Sequence, residues 1–88
     1  MKLMRWQITV DAETHTVIYS FSRLAGKQIV SIDGDSFDLP AGILGLRAAR
    51  REIFRLGDEQ AILAVDKKGR AELIFRAEIV VPVQDSAE

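Results

Sequence analysis

The sequence predicts an all-β protein, an antiparallel β-sandwich or flattened barrel of about seven or eight short strands. Three observations carry that prediction. Apolar residues recur at every second position through much of the chain, the period of a half-buried strand. The runs are rich in β-branched and aromatic residues, which fit a pleated surface best. Turn signals, above all Asp33-Gly34 and Lys68-Gly69, punctuate the runs at roughly 8–12-residue spacing, as in small β-sandwiches.

Leu3 to Val10 is the first expected strand, with Trp6, Ile8 and Val10 alternating with Gln7 and Thr9. After a polar break at Asp11-Ala12-Glu13, Thr14 to Ser22 forms a second strand with His15, Val17, Tyr19 and Phe21 on one face. So short a break predicts an antiparallel hairpin. Arg23 to Gly26 is read as the next turn. Lys27 to Leu39 then makes a central hairpin around Asp33-Gly34, because Gly tolerates the positive φ that a primed turn demands. Val30 and Ile32 share one face of its first strand, Ile29 and Ser31 the other.

Pro40 to Arg51 is read as a short irregular strand ending in a basic loop, since Gly42 and Gly45 weaken a helix there. Glu52 to Gly57 is a strand with Phe54 and Leu56 on one face. Gln60 to Asp66 is apolar on both faces and is expected centrally in a sheet or between layers. Ala71 to Val83 is strand-like, with a bend over Arg76-Ala77-Glu78 that splits it in two. Residues 1–83 are expected to be one β-domain and residues 84–88 a frayed tail.

Bulk properties narrow the function classes. Eighty-eight residues suffice for one modest core. A net charge of -1 gives no global pull toward nucleic acid or an acidic membrane. The chain has no cysteine, which excludes disulfides, thiol nucleophiles and Cys-based metal sites. Met1 to Trp6 contains no apolar leader segment, and no run approaches the roughly 20 apolar residues of a membrane-spanning helix. A cytoplasmic protein with no membrane partner is expected.

Certain residues also resemble a known family. Trp6 opens a strand ending in Val10-Asp11, His15-Thr16-Val17 begins the next, and Gly26 to Gly34 and Ile53 to Gly57 follow in order. Over about Trp6 to Val80 this order and spacing resembles one repeat of the Fas apoptosis inhibitory molecule family. The resemblance implies a compact antiparallel β-sandwich that acts through contacts with other proteins and supplies no catalytic residues. Animal members carry two such domains, and this chain has room for one, so their role in death-receptor signalling is not carried over.

Candidate chemistry is sparse. His15 is the sole histidine, and a metal site needs several converging ligands; it is read as a structural hydrogen-bonding residue. Asp33, Asp35 and Asp38 lack the ligand offsets and terminal Glu of a calcium loop, and Asp33 and Asp35 are read as turn residues bonding to nearby backbone. No nucleophile elbow, phosphate loop or dinucleotide fingerprint occurs. No catalytic residue, metal or cofactor is expected.

Arg47, Arg50, Arg51 and Arg55 form the densest basic cluster. A nucleic-acid-binding β-barrel would pair such charge with exposed aromatics, but Trp6, Tyr19, Phe21, Phe54 and Phe75 fall on faces assigned to the core. Ile43, Leu44 and Leu46 beside Arg47, Arg50 and Arg51 are the candidate partner contacts, because arginine is enriched at interfaces; their alternative role is to cap the core. The expected function is a non-enzymatic interaction module, a homodimer or the binder of a protein partner, acting through a strand edge or this region. Weak nucleic-acid binding and an apolar ligand held between the layers are the alternatives.

Overall fold

The computed structural model describes residues 2–22, 27–39, 49–68 and 70–86. These residues form β1 (Lys2–Val10), β2 (Glu13–Ser22), β3 (Lys27–Ile32), β4 (Asp35–Leu39), β5 (Arg50–Leu56), β6 (Glu59–Val65), β7 (Ala71–Phe75), β8 (Glu78–Val80) and β9 (Gln84–Ser86). All pairings are antiparallel. The strands make a five-stranded sheet, ordered β4-β3-β2-β1-β9, and a four-stranded sheet, ordered β5-β6-β7-β8. The all-β, two-layered antiparallel expectation holds.

Alternation places the core where the sequence put it. Trp6, Ile8 and Val10 from β1 and Val17, Tyr19 and Phe21 from β2 are buried, as are Val30 and Leu39. Leu56, Ala61, Leu63, Val65, Ala71, Leu73 and Phe75 enter the same cluster from the other sheet, with Phe54 packed against it. Each fully buried side chain of this size contributes about 1.5–3 kcal/mol through water release. Among the described residues the buried polar one is Gln28, whose Nε2 donates to the Tyr19 hydroxyl at 2.9 Å.

Tight turns join neighbouring strands. Asp33 and Gly34 both have positive φ, 50° and 91°, as the type I′ hairpin requires. Asp11-Ala12, at 49° and 67°, and Arg76-Ala77, at 53° and 61°, adopt the same positive-φ pairing without a glycine. Glu13 therefore begins β2 opposite Val10 instead of lying in a three-residue break. The bend expected at 76–78 is the β7–β8 turn.

Two expectations change at the chain's end and in its middle. Nine strands are described where about seven or eight were expected, partly because Gln84–Ser86 is a strand and not a tail. It pairs with Leu3, Met4 and Arg5, since the free edge of β1 needs only backbone groups from its neighbour and polar side chains can point to water. Arg50 and Arg51 belong to β5, not to a basic loop. They lie opposite Val65 and Ala64 in the antiparallel β5–β6 ladder, whose backbone hydrogen bonds hold that stretch extended whatever its side chains. Residues 23–26 and 40–48, with the turn expected at Arg23 to Gly26, lie outside the described residues, as does Gly69.

Candidate functional site

The pleat of the four-stranded sheet divides each of its strands into an inner and an outer set. On β5, Glu52, Phe54 and Leu56 turn toward the other layer, while Arg51, Ile53 and Arg55 are exposed on the outer face. On β6 the outer set is Gln60, Ile62 and Ala64, and on β7 it is Glu72 and Ile74. Residues directly opposite across an antiparallel pair share a face. The register pairs Ile53 with Ile62, Ile62 with Ile74, and Ile74 with Ile79. Four isoleucines thus form one row across the full width of the sheet, on its solvent side.

This row is open to water at both ends: Ile53 is 65% exposed and Ile79 64%. Ile62 and Ile74 are half-buried by their neighbours. Val81, just past β8, is also exposed. A second row, Arg51–Ala64–Glu72, borders the isoleucines on one side, and Arg55 opposite Gln60 borders them on the other. An apolar strip with a charged rim has the composition of an interface.

The arrangement revises the basic cluster. Alternation puts Arg50 on the opposite face from Arg51 and Arg55, and Arg50 Nη1 lies 4.0 Å from Glu52 Oε1. Of the sequence-derived contact residues, Arg51 borders the apolar row on the same face and Arg50 does not. Ile43, Leu44, Leu46 and Arg47 lie outside the described residues. Ile53, Ile62, Ile74 and Ile79 were missed as a set. Their signal was present in the outward-facing Ile of β5 and in the run from Gln60 to Asp66 that is apolar on both faces.

A groove of about 530 Å³ lies at the end of this face, lined by Ala49, Arg50, Arg51, Ala64, Val65, Asp66, Arg70 and Glu72. Its mixed charge differs from the apolar pocket between layers that a ligand-binding reading needs. Asp66 holds the β6–β7 loop beside it: Oδ1 accepts from the Lys68 and Arg70 amides at 2.8 and 2.9 Å. Those backbone bonds, Arg70 first, hold its carboxyl below the usual value.

His15 acts as a structural residue. Nδ1 lies 2.6 Å from Asp33 Oδ2; an ionised carboxylate only accepts, so Nδ1 carries the hydrogen. The Thr16 amide donates to Asp33 Oδ1 at 2.9 Å, so Asp33 bonds to the neighbouring strand and not within its own turn. The β5–β6 turn lies over this corner, with Gly57 at φ +63° against Val10 and His15. Among the described residues, no group of three or more His, Cys, Asp or Glu could hold a metal ion. No described helix is long and apolar enough to cross a membrane. Comparison with known proteins found no matching family model, curated protein or solved structure.

Proposed function

We propose that this chain is a non-enzymatic interaction module that self-associates through the outer face of its four-stranded sheet. The single observation that supports this reading is the row Ile53–Ile62–Ile74–Ile79, aligned by register on a face toward water. An isolated exposed isoleucine needs no explanation, but four in register form a continuous apolar strip.

The face suits this role better than the strand edges do. β5 carries Arg51 and Arg55, β4 carries Asp35 and Asp38, and β8 and β9 have three residues each. Charged or very short edges discourage strand addition. Nucleic-acid binding has weaker support: Phe37, the exposed aromatic among the described residues, belongs to the five-stranded sheet, away from Arg51 and Arg55. The resemblance to the Fas apoptosis inhibitory molecule family points to a contact-forming β-module as well, and a cysteine-free composition suits a cytoplasmic location.

Sedimentation equilibrium at concentrations up to about 1 mM tests the reading, a range that reaches weak complexes. The wild-type chain should dimerise. Ile62→Asp should be monomeric, and Gln7→Asp, on the outer face of the other sheet, should behave as wild type. A wild-type monomer throughout that range overturns the proposal.

A further inference from the structure

We infer that the second copy docks about a two-fold axis running parallel to the strands, so that Arg51 of each copy reaches Glu72 of the other. The inference rests on the self-associating reading above and adds its geometry. Two copies of one sheet face related by a two-fold must have the axis in the plane between them, because a closed dimer uses the same patch on both copies. The isoleucine row is compatible with either principal direction of that axis. The charges beside it are not.

With the axis parallel to the strands, β5 lies over β8 of the second copy and β6 over β7. Ile53 then meets Ile79 and Ile62 meets Ile74, each contact occurring twice. Ala64 lies over Glu72 of the second copy, and Arg51, on the strand adjacent to β6, is within side-chain reach of that carboxylate. On the other border, Arg55 approaches Arg76 of the second copy. Arg76 already donates from Nε to Glu59 Oε1 at 2.7 Å and from Nη2 to Glu59 Oε2, so its charge is matched within its own chain.

With the axis perpendicular to the strands, each strand lies over its own copy and the two borders exchange. Arg51 then faces Arg55 of the second copy, twice, and among the described residues neither has an ion-pair partner that offsets the repulsion. Like-charge juxtaposition in an interface opposes docking. The strand-parallel axis therefore satisfies both the apolar row and its rim. Either axis stacks the sheets nearly aligned, as face-packed β-sheets do, so the rim charges decide between them.

The patch is small. Four strands about 4.8 Å apart and five residues about 3.3 Å apart give a footprint of about 19 by 17 Å. That is below the roughly 800 Å² per partner of a standard interface. Association with a dissociation constant on the order of 100 µM is expected, and it should weaken with salt through the Arg51–Glu72 pairs.

Sedimentation equilibrium of the full chain and four variants decides the matter. Arg51→Glu and Glu72→Arg alone should each weaken the dimer about tenfold or more, and the double variant R51E/E72R should recover most of the loss. Arg51 and Glu72 are both exposed, so circular dichroism and thermal melts of these variants should match wild type. If Arg51→Glu tightens the dimer, it faces Arg55 and the perpendicular axis holds instead. If neither single charge change matters while Ile62→Asp still dissociates the dimer, the face stands and the assigned axis falls. A wild-type monomer overturns both.

Discussion

His15 Nδ1 lies 2.6 Å from the Asp33 carboxylate and ties the start of β2 to the β3–β4 turn. The bond from His15, followed by that from the Thr16 amide, depresses the Asp33 pKa below its ordinary 3.8. A carboxyl whose folded pKa is depressed contributes stability above its unfolded pKa and loses it as pH falls through the folded value. Asp33 therefore stabilises the fold at neutral pH, begins to lose that contribution as pH falls below 3.8, and loses the rest as pH passes its lower folded value. Glu59, held down by Arg76, and Asp66, held down by backbone donors, act in the same direction. The urea midpoint of wild type should fall steeply over that acid range, and Asp33→Asn should flatten the fall. An unchanged acid slope in the variant would refute the assignment.

The turns make opposite predictions for glycine. Ala12 at φ 67° and Ala77 at φ 61° occupy the left-handed region, which costs a residue with a Cβ about 1–2 kcal/mol. Glycine removes that strain but gives the unfolded chain about 0.4–1 kcal/mol of extra entropy. Ala12→Gly and Ala77→Gly should each stabilise by roughly 0.5–1 kcal/mol. Gly34→Ala should destabilise by roughly 0.5–1 kcal/mol, the left-handed strain less the entropy gained, although nothing lies within 4 Å of the added Cβ. Its strain comes from φ and not from a clash, and chemical denaturation of the three variants measures the balance.

Tyr19 and Gln28 form a buried pair whose worth a double-mutant cycle can isolate. Tyr19→Phe leaves the Gln28 amide without this acceptor and should cost about 1–3 kcal/mol. Gln28→Leu in the same background removes the stranded polar group and should recover part of the loss. Additive effects of the two substitutions would indicate no coupling.

Leu63 and Ile53 separate packing from docking. Leu63 is fully buried between the sheets, so Leu63→Ala should cost about 2–5 kcal/mol. Ile53 is 65% exposed, and Ile53→Ser should change stability by no more than about 0.5 kcal/mol in dilute solution. The single tryptophan reports on both, because Trp6 is fully buried. Its emission should be blue-shifted and shielded from iodide until unfolding. Early quenching in wild type would contradict the core assignment.

The local pattern of side chains was legible before any coordinates. Trp6, Ile8 and Val10, then Val17, Tyr19 and Phe21, announced their shared interior by period alone, and the core contains all six. Asp33-Gly34 announced its turn because few residues tolerate positive φ. The break at Arg76-Ala77 was visible as a polar interruption in an apolar run. These features are set by neighbours a few residues away.

What periodicity cannot specify is which strand lies beside which, and which of two apolar faces another layer covers. Arg50 and Arg51 form one basic cluster in sequence but occupy opposite faces of β5. The polar residues Gln84–Ser86 become a strand because β1 offers unpaired backbone at its edge. Ile53, Ile62, Ile74 and Ile79 become one row only through three successive registers. Alternation within a strand is a local consequence of the pleat, whereas register and layering depend on distant segments finding the same interior. The sequence by itself determined the β-class and the inward residues; the tertiary structure alone decided that four separate isoleucines share one exposed face.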